Sequence, residues 1–255
     1  MHNGKLILVG AGPGDPELIT VKGARVLSQA EVILYDALVD IELLGYAPPQ
    51  VKKVFVGKRK GVHSFTQEAI HALIRQYTRQ GKRVVRLKGG DPLVFARGFE
   101  EIAFARQHGI PVEVIPGISS ATSLTALQQI PLTRRGISES FWVVTGTTEA
   151  RQLSRDLELA ARSSATVVVL MGVHQLPRIV GLYTELGQAE APIAVIQNGS
   201  RANENMVVST IRSIEQEVEE AGIGTPAILV IGAVVKLHPS WEVCQLVNEL
   251  LKTVH

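Results

Sequence analysis

The chain of 255 residues is 45% hydrophobic and 20% charged, long enough for one large or two medium domains and too apolar for a disordered chain. No stretch approaches the roughly 20 uncharged apolar residues that span a bilayer. The start, Met-His-Asn-Gly-Lys, has no basic region ahead of an apolar one, and one cysteine, Cys244, excludes an internal disulfide framework and any multi-cysteine metal site, so a cytoplasmic globular protein is expected. The net charge of +2 conceals a split. Residues 1–136 hold 18 Lys and Arg against 11 Asp and Glu, and residues 137–255 hold 8 against 13. A surplus of seven cations joined to a surplus of five anions points to an anionic partner, or to two solvated surfaces with scattered charge.

Short apolar runs alternate with helical stretches along the first half. Strands are predicted over 5–9, 32–35, 54–56, 83–87 and 112–115, several of them continuous apolar runs of the kind that parallel strands covered on both faces require. Helices are predicted over 18–29, 66–80, 97–108 and 118–128, the second opened by Ser64-Phe65-Thr66-Gln67 with capping-box spacing. The alternation implies right-handed crossovers. It breaks at Ile130-Pro-Leu-Thr-Arg-Arg-Gly136, read as a linker between an N-terminal α/β domain, 1–134, and a C-terminal α/β domain, 135–255. Beyond it, strands are predicted over 141–145, 166–171, 193–197, 205–209 and 227–235, and helices over 149–162, 174–187, 211–221 and 240–252. The short polar loop after 193–197 predicts a hairpin and hence a mixed sheet. A cleft between two such domains is the default ligand site.

Four segments follow predicted strands, at the edge where open α/β sheets bind ligands. The first is Gly10-Ala-Gly12-Pro13-Gly14-Asp-Pro16. With Asp36 ending the second strand it suggests a dinucleotide site, but the spacing is Gly-x-Gly-x-Gly, and two prolines disturb the loop where a pyrophosphate would meet helix amides. The second is Arg86-Leu-Lys88-Gly89-Gly90-Asp91-Pro92, a tight rigid turn. In the third, Pro116-Gly117-Ile-Ser119-Ser120, small hydroxyl residues open a helix and leave room either for a ligand or for close packing on the sheet. The fourth pairs Tyr35-Asp36 with Gly57-Lys58-Arg59-Lys60, which form a solvated turn or an acid/base pair with an anion clamp. His63, His71, His108 and His174 share no metal-ligand spacing, and Phe65, Tyr77, Phe104 and Tyr183 sit at helical core positions.

Taken in this order, GAGPGDPELIT, LYDALV, VFVGKRKG, RVVRLKGGDPLVF, IPGIS, IPLT, VVTG, LMG, QNGS and TPAILVIGAVV make the chain resemble the S-adenosylmethionine-dependent tetrapyrrole methyltransferases, and among them the uroporphyrinogen-III C-methyltransferases, from Gly10 to Val235. The resemblance implies a two-domain α/β tetrapyrrole-methylase fold with a mostly parallel N-terminal sheet, a mixed C-terminal sheet and the active site in the interdomain cleft. It also implies a homodimer that uses neither nucleic acid, membrane nor metal. The implied reaction methylates uroporphyrinogen III at C2 and C7, giving precorrin-1 and then precorrin-2 for sirohaem or cobalamin synthesis, and releases S-adenosylhomocysteine. Position by position, Pro13, Gly89, Gly90, Asp91, Val94, Ser119, Ser120, Met171 and Gly199 would bind S-adenosylmethionine, and Asp36 and Lys58 would be proton acceptor and proton donor. Arg59, Lys60, Arg97, Arg134 and Arg135 are the cations that suit a polycarboxylate acceptor, and the basic first half agrees with one.

The chain departs from the family pattern at Ala96-Arg97-Gly98-Phe99-Glu100-Glu101, where Phe99 replaces a glycine and leaves the local path in question. Ser119-Ser120 replaces Thr-Ala, Arg134 a histidine, and Glu204-Asn205 a Gln-Arg pair. The rival readings are a later precorrin methyltransferase of the same fold, a nicotinamide-dependent oxidoreductase and a non-catalytic tetrapyrrole carrier. RLKGGDP with Asp36 and Lys58 favours the uroporphyrinogen enzyme over the first, and the glycine spacing disfavours the second.

Overall fold

The structure, a computed structural model, describes residues 4–57, 65–148, 150 and 152–244. It divides into two compact units, Met1–Ser119 and Ser120–His255. The first is built on five parallel strands: β1 (Lys5–Gly10), β2 (Val32–Tyr35), β3 (Lys52–Phe55), β4 (Arg83–Lys88) and β5 (Val112–Ile115), in the order β3-β2-β4-β1-β5. Strand alternation sends Ile7, Val9, Ile33, Val85, Leu87 and Ile115 to one face, where they pack with Leu27 of α1 (Val21–Leu27) and with Leu43 and Leu44 of a 3-10 turn at Ile41–Tyr46. Leu6, Leu8, Val32, Leu34 and Val84 take the other face, under Ile70, Ile74 and Tyr77 of α2 (Gln67–Arg79) and Ile102 and Ala105 of α3 (Gly98–Gln107). Burial on both faces is why β1 from Leu6 to Val9 and β2 read as unbroken apolar runs.

The helices α1 and α2 begin later than expected, each behind a threonine cap. The helix expected from 18 begins at Val21, because the Thr20 hydroxyl accepts the Gly23 amide at 3.0 Å, while Pro16–Leu18 forms a separate 3-10 turn. For α2 the cap is Thr66, whose hydroxyl accepts the Ala69 amide at 3.2 Å, while Ser64, where the expected start signal opens, lies outside the described residues.

The second unit opens with α4 (Ser120–Leu127). It continues through β6 (Phe141–Thr145), α5 (Arg155–Ala161), β7 (Thr166–Leu170), α6 (Leu176–Glu185), β8 (Pro192–Gln197), β9 (Asn205–Thr210), α7 (Ile214–Glu220) and β10 (Ala227–Ile231). Its sheet has the order β6-β7-β10-β8-β9. It is mixed: β6 and β7 are parallel, β10 runs antiparallel to β7 and β8, and β8 and β9 form the expected hairpin. Val167, Val169, Ile193, Val195 and Leu229 pack on one face with α5, α6 and α7. Val168, Ala194, Ile196, Val208 and Val230 pack on the other with Ala121 and Leu124 of α4 and with Ile130. The boundary drawn from the sequence after 134 thus falls inside a stretch that packs on the second sheet.

Two further expectations change. The strand expected to 235 ends at Ile231, since Gly232 turns with φ 144° into a 3-10 turn at Ala233–Leu237. Phe65, expected in the core, is 36% exposed, and Cys244 is half-buried. The expected helix 240–252 lies outside the described residues beyond 244. No helix among the described residues is long and apolar enough to cross a membrane.

Candidate active site

In the first unit the sheet order sets β1 between β4 and β5, so the loops at their carboxyl ends are neighbours. They are tied by backbone: the Ala11 amide donates to the Lys88 carbonyl at 2.7 Å, and Gly12 and Gly90 exchange two bonds of 3.3 and 2.7 Å. The Asp91 carboxylate accepts the Leu93 amide at 2.8 Å through one oxygen and the Gly117 amide at 3.1 Å through the other, which fastens the β4 loop to the β5 loop. The approach is close enough that a Cβ on Gly117 would stand 2.3 Å from the Gly90 oxygen. Gly117→Ala is therefore expected to push the two loops apart at a cost of about 1–3 kcal/mol, measured by chemical unfolding. Pro13, Gly89, Gly90, Asp91 and Ser119 are all partly exposed around this edge, and Val94 is exposed on the loop that follows. That loop carries Phe95 and Arg97 at φ 50° and 56°, left-handed positions that non-glycine residues hold only when surrounding structure enforces them.

The same edge holds a cluster of charge. Asp36 follows β2, and its carboxylate accepts Arg86 Nη2 at 2.5 Å and lies 3.8 Å from Lys88 Nζ. Arg86 and Lys88 share the β4 face of Val84, so they point into the layer under α3, where Glu101 Oε1 accepts Arg86 Nε at 3.0 Å and Lys88 Nζ at 3.2 Å. Arg86 is 2% exposed and Glu101 0%, whereas the Asp36 side chain is 27% exposed. Burial, and then the neighbouring Arg86 charge, push the Lys88 ammonium below the ordinary lysine range against the pull of Glu101 and Asp36. Burial also opposes the Arg86 charge, but Glu101 and Asp36 outweigh it and hold the guanidinium above its ordinary value. Sequence reasoning placed Asp36 here and missed Glu101 and the interior position of the two cations. The available signal was charge at alternate positions of an otherwise apolar strand.

In the second unit β7 and β8 run the same way on either side of β10, so Met171 and Gly199 follow strands that end on one sheet edge. Met171 has φ 56° and is 52% exposed, and Asn198 and Ser200 flank Gly199 at φ 49° and 66°. Left-handed non-glycine residues again mark this edge. Glu204 closes the β8–β9 loop by accepting the Ser200 amide at 2.7 Å and Gln128 Nε2, from the end of α4, at 2.5 Å. This accounts for the replacement at 204, because both carboxylate oxygens accept, whereas a glutamine offers one acceptor atom. Asn205 in turn donates to the Ala221 carbonyl at 3.0 Å. Ser120 begins α4 and is partly exposed.

Of the expected basic and acid/base residues, Lys58, Arg59 and Lys60 lie outside the described residues. Arg134 and Arg135 are exposed, and Arg97 is exposed and doubly bonded to Glu100 at 2.7 Å through Nε and Nη2. Phe99 stands in the first turn of α3, 65% exposed, and leaves the path intact. The glycine that the path demands is Gly98, whose Cβ would lie 2.2 Å from the Pro92 oxygen.

Residues 5–215 match the model of the tetrapyrrole (corrin/porphyrin) methylases. The chain is 43% identical over 236 residues to a uroporphyrinogen-III C-methyltransferase of Methanocaldococcus jannaschii, covering 92% of this chain and 98% of that one. It is also 43% identical to a siroheme synthase of Psychrobacter arcticus, again over 92% of this chain but over only 43% of that longer protein. Among solved structures, the uroporphyrin-III C-methyltransferase of Thermus thermophilus complexed with S-adenosylhomocysteine superposes with a TM-score of 0.78 at 41% identity, over 92% of this chain and 100% of that one.

Proposed function

Because the chain belongs to the tetrapyrrole (corrin/porphyrin) methylase family, we propose that it is an S-adenosylmethionine-dependent uroporphyrinogen-III C-methyltransferase. The observation that carries this is the match to the Methanocaldococcus enzyme across nearly the whole length of both chains. We assign methylation to C2 and C7 of the macrocycle, giving precorrin-2 for sirohaem or cobalamin synthesis. The setting we assign is a cytoplasmic homodimer acting without nucleic acid or membrane, which the family resemblance supports.

The residues suit the methyl donor. Gly90 takes φ 67° with open space where a side chain would stand, so a ligand can come up to the backbone there without meeting a Cβ. Val94 and Met171 offer exposed apolar surface to an adenosine, and the hydroxyls of Ser119 and Ser120 offer polar contacts. The same reading gives Pro13, Gly89, Asp91 and Gly199 to this ligand, with Asp91 acting by fixing the two loops. When bound, S-adenosylmethionine supplies an electrophilic methyl group on sulfonium. The chain's own work is to hold the pyrrole carbon in line with that methyl and to keep the geometry while the bond forms. Methylation leaves the macrocycle one proton in excess, and Asp36, a partly exposed carboxylate fixed by a buried arginine, is the group assigned to accept it. Lys58 is the assigned proton donor, and Arg59, Lys60, Arg97, Arg134 and Arg135 are assigned to the substrate carboxylates.

Incubation with uroporphyrinogen III and methyl-labelled S-adenosylmethionine is expected to place label at C2 and then at C7. Label that enters only an already methylated precorrin would transfer the assignment to a later enzyme of the same fold. Label confined to RNA or a protein acceptor would overturn the reading.

A further inference from the structure

The charged cluster around Asp36 is more elaborate than packing demands. Val84 shows that an apolar side chain fills this face of β4, yet the next two inward positions are Arg86 and Lys88. Burying them with Glu101 removes three charges from water, a cost that well-packed apolar residues would avoid. The arrangement even leaves Glu101 Oε2 buried with no hydrogen-bond partner among the described residues, because three donors converge on Oε1: Arg86 Nε, Lys88 Nζ and Gln67 Nε2, the last at 3.5 Å from α2.

The bonds of Arg86 show where the arrangement leads. Its Nε is held by Glu101, and its Nη1 donates to the Leu34 carbonyl at 3.4 Å and the Leu87 carbonyl at 3.1 Å. Only Nη2 remains, and it reaches the Asp36 carboxylate. The guanidinium plane is thus fixed from β2, β4 and α3 before it meets Asp36, which is the one member of the four that opens to solvent. A planar fork held in this way imposes a direction on a carboxylate, which a lysine ammonium does not do.

We propose that Arg86, anchored by Glu101, is a positioning residue for the reaction: it holds the Asp36 carboxylate in the orientation from which it accepts the macrocycle proton. The proposal rests on the assignment of Asp36 as proton acceptor, and the test separates the two.

The informative variant is Arg86→Gln with Glu101→Gln. It removes one cation and one anion together, and the amide oxygen that replaces the carboxylate can still accept Lys88 Nζ, which also keeps Asp36 at 3.8 Å, so no buried charge is left without an acceptor. It is expected to melt near the parent and bind S-adenosylmethionine with unchanged affinity, yet to lose roughly 10²-fold in kcat from misorientation. Adding Asp36→Ala to this variant is expected to bring no further loss beyond Asp36→Ala alone, since Arg86 acts through that carboxylate. Arg86→Lys, which keeps all four charges and loses the fork, is expected to show the same loss confined to kcat. A folded double variant, or a folded Arg86→Lys, with the parent's kcat overturns the proposal, and so do losses that multiply when Asp36→Ala is added. Full activity of Asp36→Ala alone overturns the proton-acceptor assignment, and the proposal with it, while leaving the methyltransferase reading in place.

Discussion

Asp36→Ala is expected to lose about 10²-fold or more in turnover while binding S-adenosylmethionine as the parent does, the scale set by removing a positioned general base. The separation follows from where the residue sits. Asp36 stands after β2, and its carboxylate is engaged by Arg86 and faced by Lys88, whereas the glycine loops after β1 and β4 are held to each other by their own backbone bonds. Truncating the carboxylate leaves those loops untouched. Single-turnover methylation of uroporphyrinogen III alongside calorimetric titration of the methyl donor reads both quantities. Unchanged turnover removes Asp36 from the mechanism, and a parallel fall in donor affinity would mean that its part is structural.

Glu101→Leu is expected to cost about 3–5 kcal/mol of stability, the range for breaking a buried ion pair by removing one partner. Glu101 is fully buried and anchors two cations, so its loss leaves Lys88 with only Asp36 at 3.8 Å and leaves Arg86 without its Nε acceptor. The penalty should depend on pH in a defined sense. Lys88 already holds its proton less tightly than a lysine in the unfolded chain, chiefly because it is buried. Below its folded-state value both states are protonated and the burial penalty is complete. As pH rises from that value toward the ordinary lysine value the folded chain sheds the proton first, so stability increases. Removing Glu101 takes away a group that favours the charged form, which widens this window downward. Urea unfolding of parent and variant at neutral and alkaline pH is expected to show the difference between them shrinking as pH rises. A difference that grows would mean that Lys88 is not the group left unpaired.

The strands were legible where double-sided burial writes continuous apolar runs into a sequence, as in β2, which matches its expected limits residue for residue. Helix starts were less so. Thr20 and Thr66 compete with nearby residues as caps, and only the local backbone decides which hydroxyl meets an amide. The 3-10 turn at Ile41–Tyr46 escaped notice because its apolar residues keep no helical period long enough to register. At the candidate site, the glycine loops and Asp36 could be read from motifs. The partnership of Arg86 and Lys88 with Glu101 could not, since a charged residue is taken by default as solvated and the acid lies on a later helix. Glu204 teaches the converse: a substitution with no visible reason in the sequence is explained once its two carboxylate oxygens are seen to accept the Ser200 amide and Gln128 Nε2.

Arg86, Lys88, Asp36 and Glu101 sum to no net charge, so the cluster adds nothing to the cation surplus of the first half. The cation surplus of residues 1–136 therefore resides on other residues, among them the exposed Arg134 and Arg135, where dissolved ions weaken it within a Debye length of about 10 Å at 0.1 M. Ionic strength thus becomes a means of dissection. Added salt should raise the KM for a polycarboxylate acceptor while leaving kcat, which depends on the buried cluster, nearly constant.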